Sequence, residues 1–412
     1  MNSYQYLIIG GGITGVTAAE TIRKADTRAT IGIIGEEPYL LYSRVLLPHY
    51  LKNKIKREQL FLRAQRDFYE KNIDLRLDQK VAGIDTEKQT VTLENGTRLG
   101  YEKLLISSGG KVKPWGENGV QSLVYRLQTI EDTDRLKIDL SKIKKPIVIG
   151  GSFIGLEFLE VFTLNNISPT LLLDRPFFFC KLVEKNGGEI LHRNFERHGI
   201  KILTGDAVES MSMLATGEIG AVTRLGHNLE ADAVAVGIGL DKNLEFLAGT
   251  KIESSKAGIR VNEFLETNQK NIWAAGDVAE FYDVILERPR SVGNWTNSFL
   301  QGQKAGLNMM GSKEAFRAVS AYSITNLGFQ ITALGDCGEK EGIDSVVRYD
   351  MYQHLYERFF LRQGVLVGAV LINCFKDKIL LTKLIESKTK LDLYKDRLTS
   401  FDFDLKDISM VE

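Results

Sequence analysis

Gly10, Gly12 and Gly15 stand near the start of the chain in the spacing G-x-G-x-x-G. In a turn that holds a dinucleotide each has a task. The first permits the tight turn, the second lets backbone N–H groups approach a pyrophosphate, and the third lets helix and strand pack closely. The phosphate would then sit at the positive end of the helix dipole. Glu36, with Glu37 as an adjacent candidate, stands about where a ribose hydroxyl needs a carboxylate acceptor. A second turn repeats the logic at Gly150, Gly151, Ser152, Ile154 and Gly155, and its acid is Asp174. The middle glycine here is Ser152, whose Cβ is tolerated if the pyrophosphate sits slightly further out. Two Rossmann-type units in one chain mean two dinucleotides. Asp174 favours the ribose 2′-OH of NADH, because a carboxylate repels a 2′-phosphate. Arg175 beside it could accept that phosphate, so NADH is expected over NADPH with the alternative open.

The elements that must position these residues are readable too. Tyr6 to Ile9 is an apolar run short enough for one buried parallel strand. Gly15, Val16, Ala18, Ala19 and Ile22 give the following helix a small apolar side, and Thr30 to Ile34 supplies the returning strand. Lys145-Pro146 introduces the strand IVIG, a helix through Leu164 and the strand TLLLD. Ala231 to Asp241 is a further buried strand, and its turn at Gly237 and Gly239 suits close backbone approach by a flat ring. Pro38 to Leu51 should cross beside the first cofactor; Arg44 within it reads most simply as a surface salt bridge. Lys52 to Lys71 predicts a charged amphipathic helix with Leu60, Phe61, Ala64 and Phe68 on one side. Short strands follow from Ile73, with a hairpin at Asn95-Gly96. The tail from Val319 predicts strands over SVVRYDMYQHLYERFFLR and GVLVGAVLIN with a Gly364 turn between, then a helix over Asp377 to Lys395. The apolar stripe of that helix favours packing on its own domain or a dimer over lying on a membrane.

At 412 residues the chain should form two or three domains. Its 43% hydrophobic and 26% charged residues are those of a globular protein, and 53 basic residues balance 53 acidic ones. Nothing in that balance points to nucleic acid or an anionic membrane. No segment approaches the roughly 18 uninterrupted apolar residues of a membrane span, and the first strand leaves no room for a signal peptide, so a cytoplasmic location is expected. Cys180, Cys337 and Cys374 lie far apart, and five scattered histidines show no ligand spacing, so no metal centre is expected.

Ala274, Gly276 and Asp277 form an A-x-G-D segment, and Trp295, Gln301, Gly302, Ala305 and Gly306 follow in W-x-x-x-x-x-Q-G-x-x-A-G. With the two glycine turns, these motifs resemble the two-dinucleotide-domain flavoproteins of the pyridine nucleotide-disulfide oxidoreductase superfamily. The resemblance is greatest to NADH:rubredoxin oxidoreductases and the flavin half of assimilatory nitrite reductases, which share a Y-x-R-x-x-L turn like Tyr42 to Leu47. It implies an α/β chain with an FAD domain at 1–112 and 246–318, an inserted NAD(P)H domain at 113–245, and a small α+β domain at 319–412. Gly10, Gly12, Thr14, Gly15 and Glu36 would hold adenosine and pyrophosphate, and Val81 would meet the adenine through its backbone. Ser108 and Gly109 would line the flavin's phosphate side, and Gly276 and Asp277 would hold ribityl and phosphate. Arg44 becomes a flavin neighbour, against the salt-bridge reading. Glu157 matches a family glutamate near the nicotinamide; its plain alternative is a solvated or salt-bridged helix residue.

Disulfide-reducing relatives carry a cysteine after the first βαβ unit, where Ser43 to Leu51 has none; Pro48 stands about where many ferredoxin reductases have a lysine. The resemblance therefore implies hydride transfer from NADH to FAD and onward transfer to rubredoxin, ferredoxin or a reductase subunit; a homodimer is a possible assembly. The enzymatic alternative is an NADH oxidase or quinone-type reductase. The alternative of another class is a flavin-binding redox-sensing or assembly subunit without turnover.

Overall fold

A computed structural model describes residues 2–116 and 118–409. Packing divides it into two units. The first comprises the residues up to Val45, Lys56–Lys111 and Leu240–Ser320; the second comprises Leu46–Ile55, Val112–Gly239 and the described residues from Ala321 onward.

The first unit is built on a seven-stranded sheet. Strand Asn2–Ile9 lies between Ile31–Ile34 and Arg98–Ile106, parallel to both, and Ile73–Arg76 extends the sheet beyond Ile31–Ile34. Ile272–Ala274 adds in parallel to Arg98–Ile106, with Ala274 opposite Ile106. Thr90–Leu93 and Val81–Asp85 continue the sheet antiparallel, the former joined to Arg98–Ile106 by the Asn95-Gly96 turn with Gly96 at φ 82°. The fully buried stretches Tyr6–Ile9 and Ile31–Ile34 read as unbroken apolar runs, as buried parallel strands do. Helix Ile13–Ala25 buries Gly15, Val16, Ala18, Ala19 and Ile22. Helix Trp295–Met309 packs on it through its own glycines: an added Cβ on Gly302 would overlap the Thr14 carbonyl oxygen, and one on Gly306 would stand 2.9 Å from that of Ala18. The small residues therefore let two backbones meet.

The second unit has a five-stranded parallel sheet ordered Lys201–Thr204, Thr170–Leu173, Pro146–Ile149, Ala233–Val236, Val124–Tyr125. An antiparallel meander, Val208–Met213, Ile219–Thr223 and Asn228–Ala231, attaches to it. The tail forms a five-stranded antiparallel sheet backed by helix Lys378–Glu386. The architecture is thus α/β with two Rossmann-type sheets and a small α+β domain.

Three segments differ from the sequence expectation. Lys52 to Lys71 is not one helix, because Asn53 at φ 57° ends the short helix Leu47–Leu51; Leu60 ends a 3-10 turn, Arg57–Leu60, Phe68 lies in helix Gln65–Glu70, and Phe61 and Ala64 lie between them. The tail helix stops at Glu386, where Lys388 takes φ 52°. Of its expected stripe Leu384, Ile385 and Leu391 are buried while Ile379 faces solvent. The long tail strand is two, Asp344–Asp350 and Leu355–Arg362, folded back at Met351 to His354.

Asp206 ties the meander to the parallel sheet. Its buried carboxylate accepts N–H bonds from Ala207 at 2.8 Å and Leu225 at 3.1 Å and contacts His227 Nδ1 at 2.9 Å. Burial alone would raise its pKa, but the Thr223, His227 and backbone hydrogen bonds prevail and bring it down from 3.8 to about 2. A depressed carboxylate stabilises the fold above its unfolded pKa and loses that contribution as pH falls through the folded one. Asp206→Asn is therefore expected to lower the unfolding temperature at neutral pH, with the gap to wild type closing between about pH 4 and pH 2. Thermal scans across that range check it; a gap independent of pH would contradict it.

Candidate functional site

Three strand ends of the first unit stop at one level, since Ile9 and Ala274 both pair with Ile106. The chain leaves each through a glycine-bearing turn. Gly10 takes φ +116°, and a Cβ there would overlap the Ser107 carbonyl oxygen; a Cβ on Gly15 would overlap the carbonyl of Gly10. Gly12, the residue capping helix Ile13–Ala25, has no atom within 4 Å of an added Cβ. The helix lacks a side-chain cap and an acidic residue in its first turn. Its free N–H groups and the space above Gly12 fit a pyrophosphate.

Gly276 at φ +79° faces this turn, and a Cβ on it would overlap the buried Thr14 hydroxyl. Its N–H donates to Gln301 Oε1 at 2.7 Å. Asp277 follows: Oδ1 accepts from Ser298 Oγ at 2.8 Å, and its backbone carbonyl accepts from Lys242 Nζ. Burial lowers the pKa of Lys242 and the Asp277 charge opposes that. Ser108 donates to the Asn243 carbonyl at 3.5 Å, and Gly109 takes φ +67° with open space around it. Glu36 is exposed and pairs with Lys111 at 3.2 Å, while Val81 is buried at the start of its strand. Arg44 pairs with Glu37 and lies 5.1 Å from the ring centre of Tyr42, whose hydroxyl donates to Glu37 at 2.6 Å. Burial works against its charge, but Tyr42 and Glu37, with a smaller contribution from Asp277, raise its pKa.

In the second unit Gly150 takes φ +103° and Gly155 packs against its carbonyl. Ser152 caps helix Phe153–Leu164, its hydroxyl accepting the Gly155 N–H at 3.2 Å. The Ser152 hydroxyl thus engages one of the backbone N–H groups at this helix end. Gly151 packs beside Leu173 and Phe179, and Ile154 is half-buried next to it. A Cβ on Gly237 would stand 2.7 Å from Gly155 N, whereas Gly239 at φ +97° has open space. Asp174 and Arg175 are exposed and 3.8 Å apart. Ring contacts of 4.6 and 4.2 Å join Phe153 to Phe179 and Tyr322.

Glu157, one turn into that helix, is not solvated. Lys52 forms an ion pair with it and another with Glu160, and Asn326 Nδ2 donates to both carboxylates at 2.9 Å. Sequence reasoning passed over Lys52, Glu160 and Asn326. Lys52 lies 105 positions from Glu157, and no local signal pointed to their pairing.

Neither Cys180 nor Cys374 is poised as a nucleophile. Burial raises the pKa of Cys180, and raises that of Cys374 to about 12. Cys337 donates to the Leu334 and Ala369 carbonyls. Among the described residues no cluster of His, Cys, Asp and Glu could hold a metal, and no helix is long and apolar enough to cross a membrane.

Residues 4–302 match the family described as pyridine nucleotide-disulphide oxidoreductase, and 323–389 the rubredoxin NAD+ reductase C-terminal domain. The chain is 28% identical over 399 residues to the NADH-rubredoxin oxidoreductase of Clostridium acetobutylicum, covering 95% of this chain and 97% of that protein. It is 28% identical over 383 residues to the anthranilate 1,2-dioxygenase system ferredoxin–NAD(+) reductase component of Burkholderia cepacia, covering 92% and 93%. In fold it is similar to the reductase of the covalent putidaredoxin reductase–putidaredoxin complex. There the TM-score is 0.90 at 24% identity, with 99% of this chain and 98% of that chain covered.

Proposed function

The chain belongs to the pyridine nucleotide-disulphide oxidoreductase family, and from that premise we propose that it is an NADH-dependent reductase of a small one-electron carrier, of the rubredoxin or ferredoxin kind. Such an enzyme takes two electrons from NADH through bound FAD, which accepts a hydride and returns electrons singly. The single observation that carries the reading is the pair of glycine turns, each opening a helix at the end of a buried parallel strand, one in each unit. We assign FAD to the first unit and NADH to the second.

The residues then divide the work. Gly10, Gly12, Thr14 and Gly15 would seat the pyrophosphate of FAD at a helix N-terminus, with Glu36 released from Lys111 to meet the ribose. Gly276 and Asp277 would hold the ribityl side, and Arg44 would add a fixed positive charge nearby. Gly150 to Gly155, Gly237 and Gly239 would receive NADH, Asp174 its ribose, and Glu157 would orient the nicotinamide. Such transfer needs positioning more than an acid or base. Burial raises the pKa of the Cys180 and Cys374 thiols, which supports a carrier protein as acceptor over a disulfide. We place the protein in the cytoplasm with these carriers.

The test is anaerobic rapid mixing of the yellow protein with NADH, followed by oxidised rubredoxin or ferredoxin. NADH is expected to bleach the flavin and the carrier to restore its colour within the turnover time. Restoration only by oxygen or quinone would replace the carrier reading with an oxidase, and no bleaching would end both.

A further inference from the structure

The groups that grip Glu157 come from three distant parts of the chain, one of them the C-terminal domain. Lys52, 3% exposed, sits between Glu157 and Glu160. Asn326 ends strand Ala321–Asn326, and the next residue, Leu327, donates its N–H to Glu160 Oε1 at 3.1 Å. The amide of Asn326 is committed to the two carboxylates: Nδ2 serves both, while the buried Oδ1 has no hydrogen-bond partner among the described residues.

Charge makes the cluster unusual. Counted by formal charge, two carboxylates around one ammonium leave one negative charge in excess, on side chains that are nearly all buried. Burial, and after it the charge of Glu157, push the Tyr322 hydroxyl up to about 12. An unbalanced buried charge is costly to fold around, and a neutral apolar contact would hold the helix as well. Nicotinamide chemistry gives the charge a use. The ring is neutral in NADH and becomes cationic as hydride leaves, so a fixed negative charge nearby favours the transition state over the bound reductant.

We propose that Glu160 and Asn326 are positioning residues for the nicotinamide: they lock Glu157 in place and hold the cluster one negative charge in excess, which makes the C-terminal domain part of the NADH site. This rests on the reading of Glu157 as the nicotinamide neighbour. Neither residue touches the coenzyme; each acts through Glu157.

The test compares the flavin-loaded wild type with Glu160→Gln, Glu160→Asp and Asn326→Ala. Flavin reduction by NADH should slow about tenfold or more in Glu160→Gln and Asn326→Ala, with the NADH dissociation constant changed less than about twofold. Calorimetry should find NAD+ bound severalfold more weakly by Glu160→Gln, and Glu160→Asp, which keeps the charge, should regain most of that loss. Equal weakening of NADH and NAD+ together with a lowered unfolding temperature would mean a purely structural role and overturn the proposal, as would wild-type rates in a folded Glu160→Gln. Failure of NADH to bleach the wild-type flavin would instead strike at the proposed function.

Discussion

Replacing Gly12 by valine is expected to give a folded protein that has lost its yellow colour. The backbone at Gly12 is extended, φ −77° and ψ −174°, a conformation that valine adopts readily. No atom lies within 4 Å of an added Cβ, so the polypeptide itself has room for the side chain. What the side chain would obstruct is an anion approaching the N–H groups of helix Ile13–Ala25. Gly10 and Gly15 cannot give so clean a test: Gly10 takes φ +116°, and an added Cβ at either position overlaps a backbone carbonyl, so the fold itself would suffer. Flavin bound after purification should drop below about one-tenth of wild type, because losing close pyrophosphate contact removes several charge-assisted hydrogen bonds at once. Thermal stability must be compared with deflavinated wild type, since a bound cofactor raises apparent stability by mass action. A variant that retains near-stoichiometric flavin would show that the first glycine turn is not the pyrophosphate seat.

Asp174→Ala should reverse or erase the coenzyme preference. A carboxylate that accepts ribose hydroxyl hydrogen bonds from NADH repels the 2′-phosphate of NADPH, so one substitution weakens the first coenzyme and relieves the second. It also frees Arg175, now 3.8 Å from Asp174, to bind the phosphate. Each of these effects is of the order of 1–2 kcal/mol, and together they shift the ratio of kcat/KM values by about 100-fold. Both side chains are more than half exposed, so packing is not at risk. Arg175→Ala alone should change NADH kinetics little, and in the double variant it should cancel the gain in NADPH use. A ratio left unmoved by Asp174→Ala would place the selector elsewhere.

The parts of this protein that the sequence determined by itself are those whose physics is local. A glycine at positive φ, a small residue where two backbones meet and an apolar run of strand length each leave their mark within a few residues. Hence the two Rossmann-type units, their order, the Asn95-Gly96 hairpin and the returning A-x-G-D segment are all legible in the sequence. Boundaries were less legible: a single left-handed residue such as Asn53 or Lys388 ends a helix that periodicity would have carried on.

Tertiary structure alone decided which charges meet. Lys52 and Glu157 are 105 positions apart, and Glu157 and Asn326 169, so no spacing rule could have joined them. Glu160 looked like one more polar helix residue until the lysine and the C-terminal strand closed over it. An ion pair costs sequence nothing to write and is specified only by the fold that removes its partners from water, which is why the glycines of this protein could be read and its buried charges could not.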